Sequence, residues 1–125
     1  MSYLENMLKI AMLTLEAQRA RQMLEIFPEW EMHIEQLASP EDVLGNSEVG
    51  WTALVMDLDA VELHSSNPAE FVQAAISRAG HAVVLVPPRL MHLEPQFAQA
   101  GVFVLRKPTS SGEIALALRM LLKPQ

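Results

Sequence analysis

Three runs of this chain, Leu8–Leu13, Thr52–Met56 and His81–Val86, are apolar at nearly every position over the length of a β-strand. A strand with one wet face alternates polar and apolar residues, whereas an unbroken apolar run needs cover on both faces. Such strands sit inside parallel sheets, between two helix layers. The segments that separate them carry helical signals. From Glu16 to Phe27, Ala17, Ala20, Met23, Leu24 and Phe27 share one helical face, and Pro28 closes the helix. Asn67-Pro68-Ala69-Glu70 is a strong helix start, with an Asn cap and Pro at the first position. Phe71, Val72, Ala75 and Ala79 form the inner face of that helix, and Gly80 is expected to end it.

The remaining elements complete the alternation. Trp30–Glu35 alternates strictly and is expected to be an edge strand with one solvated face. Ser39 and Pro40 open a short helix that ends near Gly45–Asn46. After Asp57-Leu58-Asp59 a polar loop is expected through His64–Ser66. Pro87-Pro88 stops the fourth strand. Leu90, Leu93, Phe97 and Ala100 have helical spacing, although Pro95 means that this helix is kinked or starts late. Val102–Leu105 is the last strand, and a final helix runs from about Ser111 to Leu122, capped by the Ser110–Ser111 pair.

Five strands alternating with five helices give an α/β fold. Right-handed crossovers make it a single doubly wound parallel sheet, flavodoxin-like in architecture. The edge character of the second strand implies the order 2-1-3-4-5. In such a sheet function gathers at the C-terminal ends of the strands. Those ends are Leu13 to Glu16, Asp57 to Asp59, Val86 to Arg89 and Arg106 to Thr109.

Composition narrows the function. With 125 residues the chain is expected to be one domain over 1–125, either a whole protein or the N-terminal part of a longer one. It has no Cys, which removes disulfides, thiolate zinc sites and cysteine nucleophiles. Nine Lys and Arg against 15 Asp and Glu give a net charge of −6, the wrong sign for binding a phosphate backbone, so no direct nucleic-acid partner is expected. No secretory signal and no membrane-length apolar run are visible, and a cytoplasmic location is expected. The five glycines form no phosphate-cradling loop, the four histidines show no metal-type spacing, and the serine pairs show no nucleophile elbow. No turnover is expected.

Two strand ends carry chemistry: Val55-Met56-Asp57-Leu58 puts a carboxylate at the end of a buried strand, and Leu105-Arg106-Lys107-Pro108 puts an ammonium after the last one. At this separation, and in this order of elements from about Leu8 to Leu122, the chain resembles the receiver domain of two-component response regulators. The resemblance implies that Asp57 holds the phosphoacceptor position, that Lys107, followed by Pro108, pairs with the phosphate, and that the Lys107–Pro108 bond is cis. It also implies a divalent cation held by two acidic residues directly after the first strand.

Here those positions are Thr14 and Leu15, neither of them an acidic ligand. Glu16 is the nearest carboxylate, read as a first-turn acid favoured by the helix dipole. The hydroxyl residue that the family places after the fourth strand is replaced by Pro87. The aromatic switch residue on the fifth strand is replaced by Val104, and Phe103 points to the other sheet face. The chain therefore resembles an atypical receiver, or pseudo-receiver. Asp57 is read as the partner of Lys107 in a structural ion pair, and Asp59 as a solvated loop residue. No cofactor is expected. The alternative is a working phosphoacceptor, phosphorylated on Asp57 by a histidine kinase, with Mg2+ held by Glu16, Asp57 and Asp59.

The final helix is expected to offer an interface. Ile114, Ala117, Leu118 and Leu121 supply a face for the sheet, while Leu116 and Met120 lie opposite and ask for a second partner. The expected partners are proteins: a histidine kinase, an output domain or downstream regulator, or a second copy bound through this helix.

Overall fold

The apolar runs form strands that are covered on both sides. The structure is a computed structural model that describes residues 8–16, 18–26, 32–37, 39–45 and 51–122. Strands β1 (Leu8–Leu13), β2 (Met32–Leu37), β3 (Trp51–Asp57), β4 (Ala79–Val86) and β5 (Phe103–Arg106) make one sheet in the order β2-β1-β3-β4-β5. Every pairing is parallel. The expected doubly wound α/β architecture is thus the observed one.

Side-chain alternation along the strands builds two cores. Ile10, Met12, Ala53, Val55, Val83 and Leu85 face helices α1 (Arg19–Ile26) and α6 (Ser111–Leu121), where Met23, Ile114 and Leu118 meet them. Ala11, Leu13, Leu54, Met56, Val84 and Val86 face the opposite layer, with Val43, Leu58, Phe71, Val72 and Phe97. That layer comprises α2 (Pro40–Gly45), α3 (Leu58–Glu62), α4 (Pro68–Ile76) and α5 (Glu94–Gln99). Each fully buried large apolar side chain contributes about 1.5–3 kcal/mol, and the inner strands contribute on both faces. Because all strands point one way, Leu13, Asp57, Val86 and Arg106 finish on the same side of the sheet.

Local differences from the sequence reading have physical causes. Helix α1 begins at Arg19, so Glu16 precedes it and is no first-turn acid. The Glu16 carbonyl accepts the Arg19 N–H at 3.2 Å in a preceding turn. Strand β2 runs on to Gln36 and Leu37, because Leu13 at the end of β1 pairs with Leu37. Ala17, Phe27, Trp30, Glu31 and Asn46 lie outside the described residues, as does the side chain of Leu24.

Helix α3 replaces part of the expected polar loop. Asp57 caps it by accepting the Asp59 N–H, and Leu58, Ala60 and Val61 are buried. A carboxylate cap followed by apolar residues three apart was the available signal. Helix α4 starts at its Asn67 cap but ends at Ile76, well before Gly80. Gly80 lies in β4, where an added Cβ would meet the Thr52 carbonyl at 3.2 Å, so this glycine serves a close strand approach. The segment around Pro95 is kinked by construction: a 3-10 turn over Pro88–Leu93 leads into α5. Gly101, at φ 83°, makes the turn into β5 with a backbone that favours glycine. Ser110 closes a capping box with Glu113 at the start of α6.

Candidate functional site

Asp57 ends the buried strand β3 and is only 3% exposed, so its carboxylate needs donors from the protein. It has them. Lys107 Nζ donates to Oδ1 at 3.0 Å and to Oδ2 at 2.9 Å, and the Asp59 N–H donates to Oδ1 at 2.9 Å. Lys107 follows β5 directly, and its own N–H donates to the Val86 carbonyl at 2.9 Å, which carries the β4–β5 pairing one residue past the strand. The Lys107–Pro108 peptide bond is cis.

Asp59 joins the same cluster and is therefore not the free loop residue expected from sequence. It stands in the first turn of α3, and its Oδ2 accepts from Lys107 Nζ at 2.5 Å. Its Oδ1 accepts from Arg89 Nη2 at 2.7 Å, and Arg89 also pairs with Glu62. Burial alone would raise the Asp59 carboxyl, but the hydrogen bonds from Lys107 and Arg89 outweigh it and hold the group below its ordinary value. Burial likewise opposes the charge on Lys107, and the bonds to Asp59 and Asp57 overcome it and raise its pKa. Three carboxylates and two cations thus interlock at the ends of β3, β4 and β5. Arg89 fell within a strand end singled out in the sequence but was given no role, and Glu62 went unnoticed, because their meeting depends on the fold of α3 beside the Pro88 turn.

The β1 end is organised differently. Thr14 is buried, and its Oγ1 accepts the Glu16 N–H at 3.1 Å. Leu15 is exposed. The Glu16 carboxylate lies 2.7 Å from Arg19 Nε, an ion contact whose direction is not that of a hydrogen bond, since this buried nitrogen has no aligned acceptor. Arg19 itself is buried. Its Nη2 donates to the Thr109 carbonyl at 2.7 Å and its Nη1 to Ser111 Oγ at 3.0 Å. Sequence reasoning missed Arg19, which looked like an ordinary polar position on α1.

The other expected positions fall as follows. Pro87 directly follows β4 and Val104 lies within β5. Val104 packs into the α2–α5 layer while Phe103 packs into the α1/α6 layer, as strand neighbours must. Among the described residues, no group of three or more His, Asp and Glu is placed to hold a metal ion, and no helix is long and apolar enough to cross a membrane. On α6, Leu116 is 60% and Met120 56% exposed. They line a shallow apolar groove with Phe103, Leu105, Glu113 and Ala117.

No protein-family model matches the chain, and no curated protein matches it in sequence. Solved structures do. The chain is similar to a CheY-like response regulator receiver domain protein from Methanospirillum hungatei, with TM-score 0.70 at 14% identity over 94% of each chain. It is similar to the receiver domain of the sensor histidine kinase PA1611 from Pseudomonas aeruginosa, whose active site cleft coordinates a magnesium ion. There the TM-score is 0.66 at 16% identity, over 94% of this chain and 98% of that one. A third structure, described as an adenylate cyclase from Rhodopirellula baltica, gives TM-score 0.70 at 13% identity, over 92% of this chain and 87% of that one. At these identities the likeness speaks for architecture, and the chain has the fold of the response regulator receiver domain.

Proposed function

We propose that the chain is a receiver-like signal transduction module of a two-component phosphorelay, acting through protein–protein contacts in the cytoplasm, with magnesium-dependent phosphorylation impaired. It turns over no substrate. The carrying observation is the engagement of Asp57: Lys107 bonds both carboxylate oxygens and is itself shared with Asp59. An ammonium held this way neutralises the carboxylate and serves a structural lock. The donor set around it supports the same reading. A hard divalent cation wants several free carboxylate oxygens, whereas Thr14 already accepts the Glu16 N–H, Leu15 has no side-chain oxygen, and Glu16 is drawn to Arg19. The residues present do not fit the cation.

The partner would be a histidine kinase, an output domain or a downstream regulator, and the exposed Leu116 and Met120 on α6 also suit a second copy of the chain. A second reading has its own support. By the resemblance Asp57 and Lys107 stand for the phosphoacceptor and its lysine partner, and Lys107 Nζ lies 2.9 Å from Asp57 Oδ2, so a phosphoacceptor function on Asp57 is the rival.

Intact mass after incubation with magnesium and acetyl phosphate, alongside magnesium affinity, separates the two. The expected result is no adduct and weak magnesium binding. An adduct that disappears in Asp57→Asn establishes the rival. Light scattering of the parent and of Leu116→Glu/Met120→Glu addresses self-association: a parent dimer that becomes a monomer supports it, and a monomeric parent ends it.

A further inference from the structure

We propose that Arg19 is a positioning residue for the Lys107 lock, and that it transmits the state of that lock to the exposed face of α6. The second half rests on the reading of α6 as an interaction surface; the first does not.

Lys107 is tied to Asp57 and Asp59 through its ammonium, but the loop that carries it must also be held from behind. Only two residues separate Lys107 from Ser110, the cap of α6. Thr109, between them, is buried. Its carbonyl is taken by Arg19 Nη2 at 2.7 Å, a buried charge-assisted bond across 90 positions of sequence. The other prong of the guanidinium, Nη1, takes Ser111 Oγ at 3.0 Å, and that hydroxyl donates onward to Gln22 Oε1 at 2.5 Å. The fork thus joins α1 to both ends of the turn between Pro108 and α6. A planar, permanently charged fork suits this double duty, and lysine, with a single donor head, does not.

The same turn reaches the α6 surface. Thr109 Oγ1 donates to Glu113 Oε2 at 3.3 Å, and Ser110 and Glu113 exchange the capping-box bonds. Glu113 lines the apolar groove with Leu116 and Met120. From Lys107 to that groove the path is five residues of one chain segment, and Arg19 fixes it from outside, with Gln22 on the same Ser111 hydroxyl. With the guanidinium in place, a change at Lys107 moves the turn and the start of α6 as one body. Without it, the turn absorbs the change.

The test uses amide exchange and methyl NMR on the full chain. In Arg19→Gln the amide of Lys107, bonded to the Val86 carbonyl, and that of Glu113, bonded to Ser110 Oγ, are expected to lose protection on the order of tenfold. Arg19→Lys should restore part of it. Val72→Ala, which opens the core in the opposite layer, controls for general destabilisation and should leave the ratio of these two amides to the inner-strand amides unchanged. Equal protection in Arg19→Gln and the parent, or the same pattern in Val72→Ala, overturns the positioning role. For the relay, Lys107→Ala is expected to shift the Leu116 and Met120 methyl signals in the parent background and leave them still in Arg19→Gln. Identical shifts in both backgrounds overturn it. An Asp57 adduct, which would establish the rival phosphoacceptor reading above, changes none of these measurements on the unphosphorylated protein.

Discussion

Two charged clusters hold the strand-end side of the sheet, and they are built on opposite principles. Around Lys107, carboxylates from β3 and α3 face an ammonium from the β5 end and a guanidinium from beyond β4. Around Arg19, one buried guanidinium binds a backbone carbonyl and a hydroxyl. The first cluster depends on ionisation at both partners. The second donates its two hydrogen bonds to neutral acceptors, with the exposed Glu16 carboxylate beside it as an ion contact. One arrangement is therefore open to protons and salt, and the other acts as fixed framework.

The largest expected effect comes from splitting the first cluster. Lys107→Met leaves Asp57 buried with its Asp59 N–H bond and no counter-charge, and should lower stability by about 3 kcal/mol in urea unfolding. Adding Asp57→Asn, which preserves the α3 cap, should recover most of that loss. A double variant as weak as the single one would show that the pair does more than neutralise itself. Next in size, Arg19→Met strands the Thr109 carbonyl and should cost about 2 kcal/mol. Raising salt to about 1 M should leave this difference in place while shrinking the contribution of Arg89. Equal salt sensitivity at both sites would erase the contrast.

Protons offer a finer test. The Asp59 carboxyl titrates below its ordinary 3.8 in the folded state, so its contribution is complete above that value and is lost as pH falls through the lower folded value. Lys107 titrates above its ordinary 10.5, so its share is complete below that value and is lost as pH rises through the higher folded value. Asp59→Asn should thus reduce stability at neutral pH by up to about 1 kcal/mol, given the partial exposure of the site, and the difference should vanish in acid. Thermal melts from neutral pH downward measure it. The smallest change is expected at the surface: Leu116→Glu/Met120→Glu should leave unfolding within about 0.5 kcal/mol of the parent. A larger loss would mean that these side chains serve the fold as well as a partner.

Much of the architecture was legible because apolar runs without alternation admit few burial schemes. Leu8–Leu13, Thr52–Met56 and His81–Val86 pointed to interior parallel strands, and the alternation in Met32–Ile34 marked an edge. Boundaries were read less well. Gly80 resembled a helix stop because sequence shows a glycine but not the Thr52 carbonyl that passes beside it. Helix α3 was overlooked because Asp57 was weighed as a site residue and not as a cap.

The site divides in the same way. Asp57 and Lys107 were found because one directly follows an apolar run and the other follows one after Arg106, so one rule of sheet topology brought them together. Asp59, Glu62 and Arg89 had no such marker, and their ion pairs depend on how α3 and the Pro88 turn fold beside one another. Arg19 was wholly hidden, since the acceptors of its hydrogen bonds lie 90 and 92 positions away.

What the sequence determined by itself is therefore the sheet, its order and the two charged strand ends, because burial periodicity is a local property of the chain. Only the tertiary structure decided that Lys107 is shared between two aspartates and that a buried arginine fastens the turn behind it. Those are contacts between segments that no spacing rule connects, chosen by the direction in which packed helices aim their side chains.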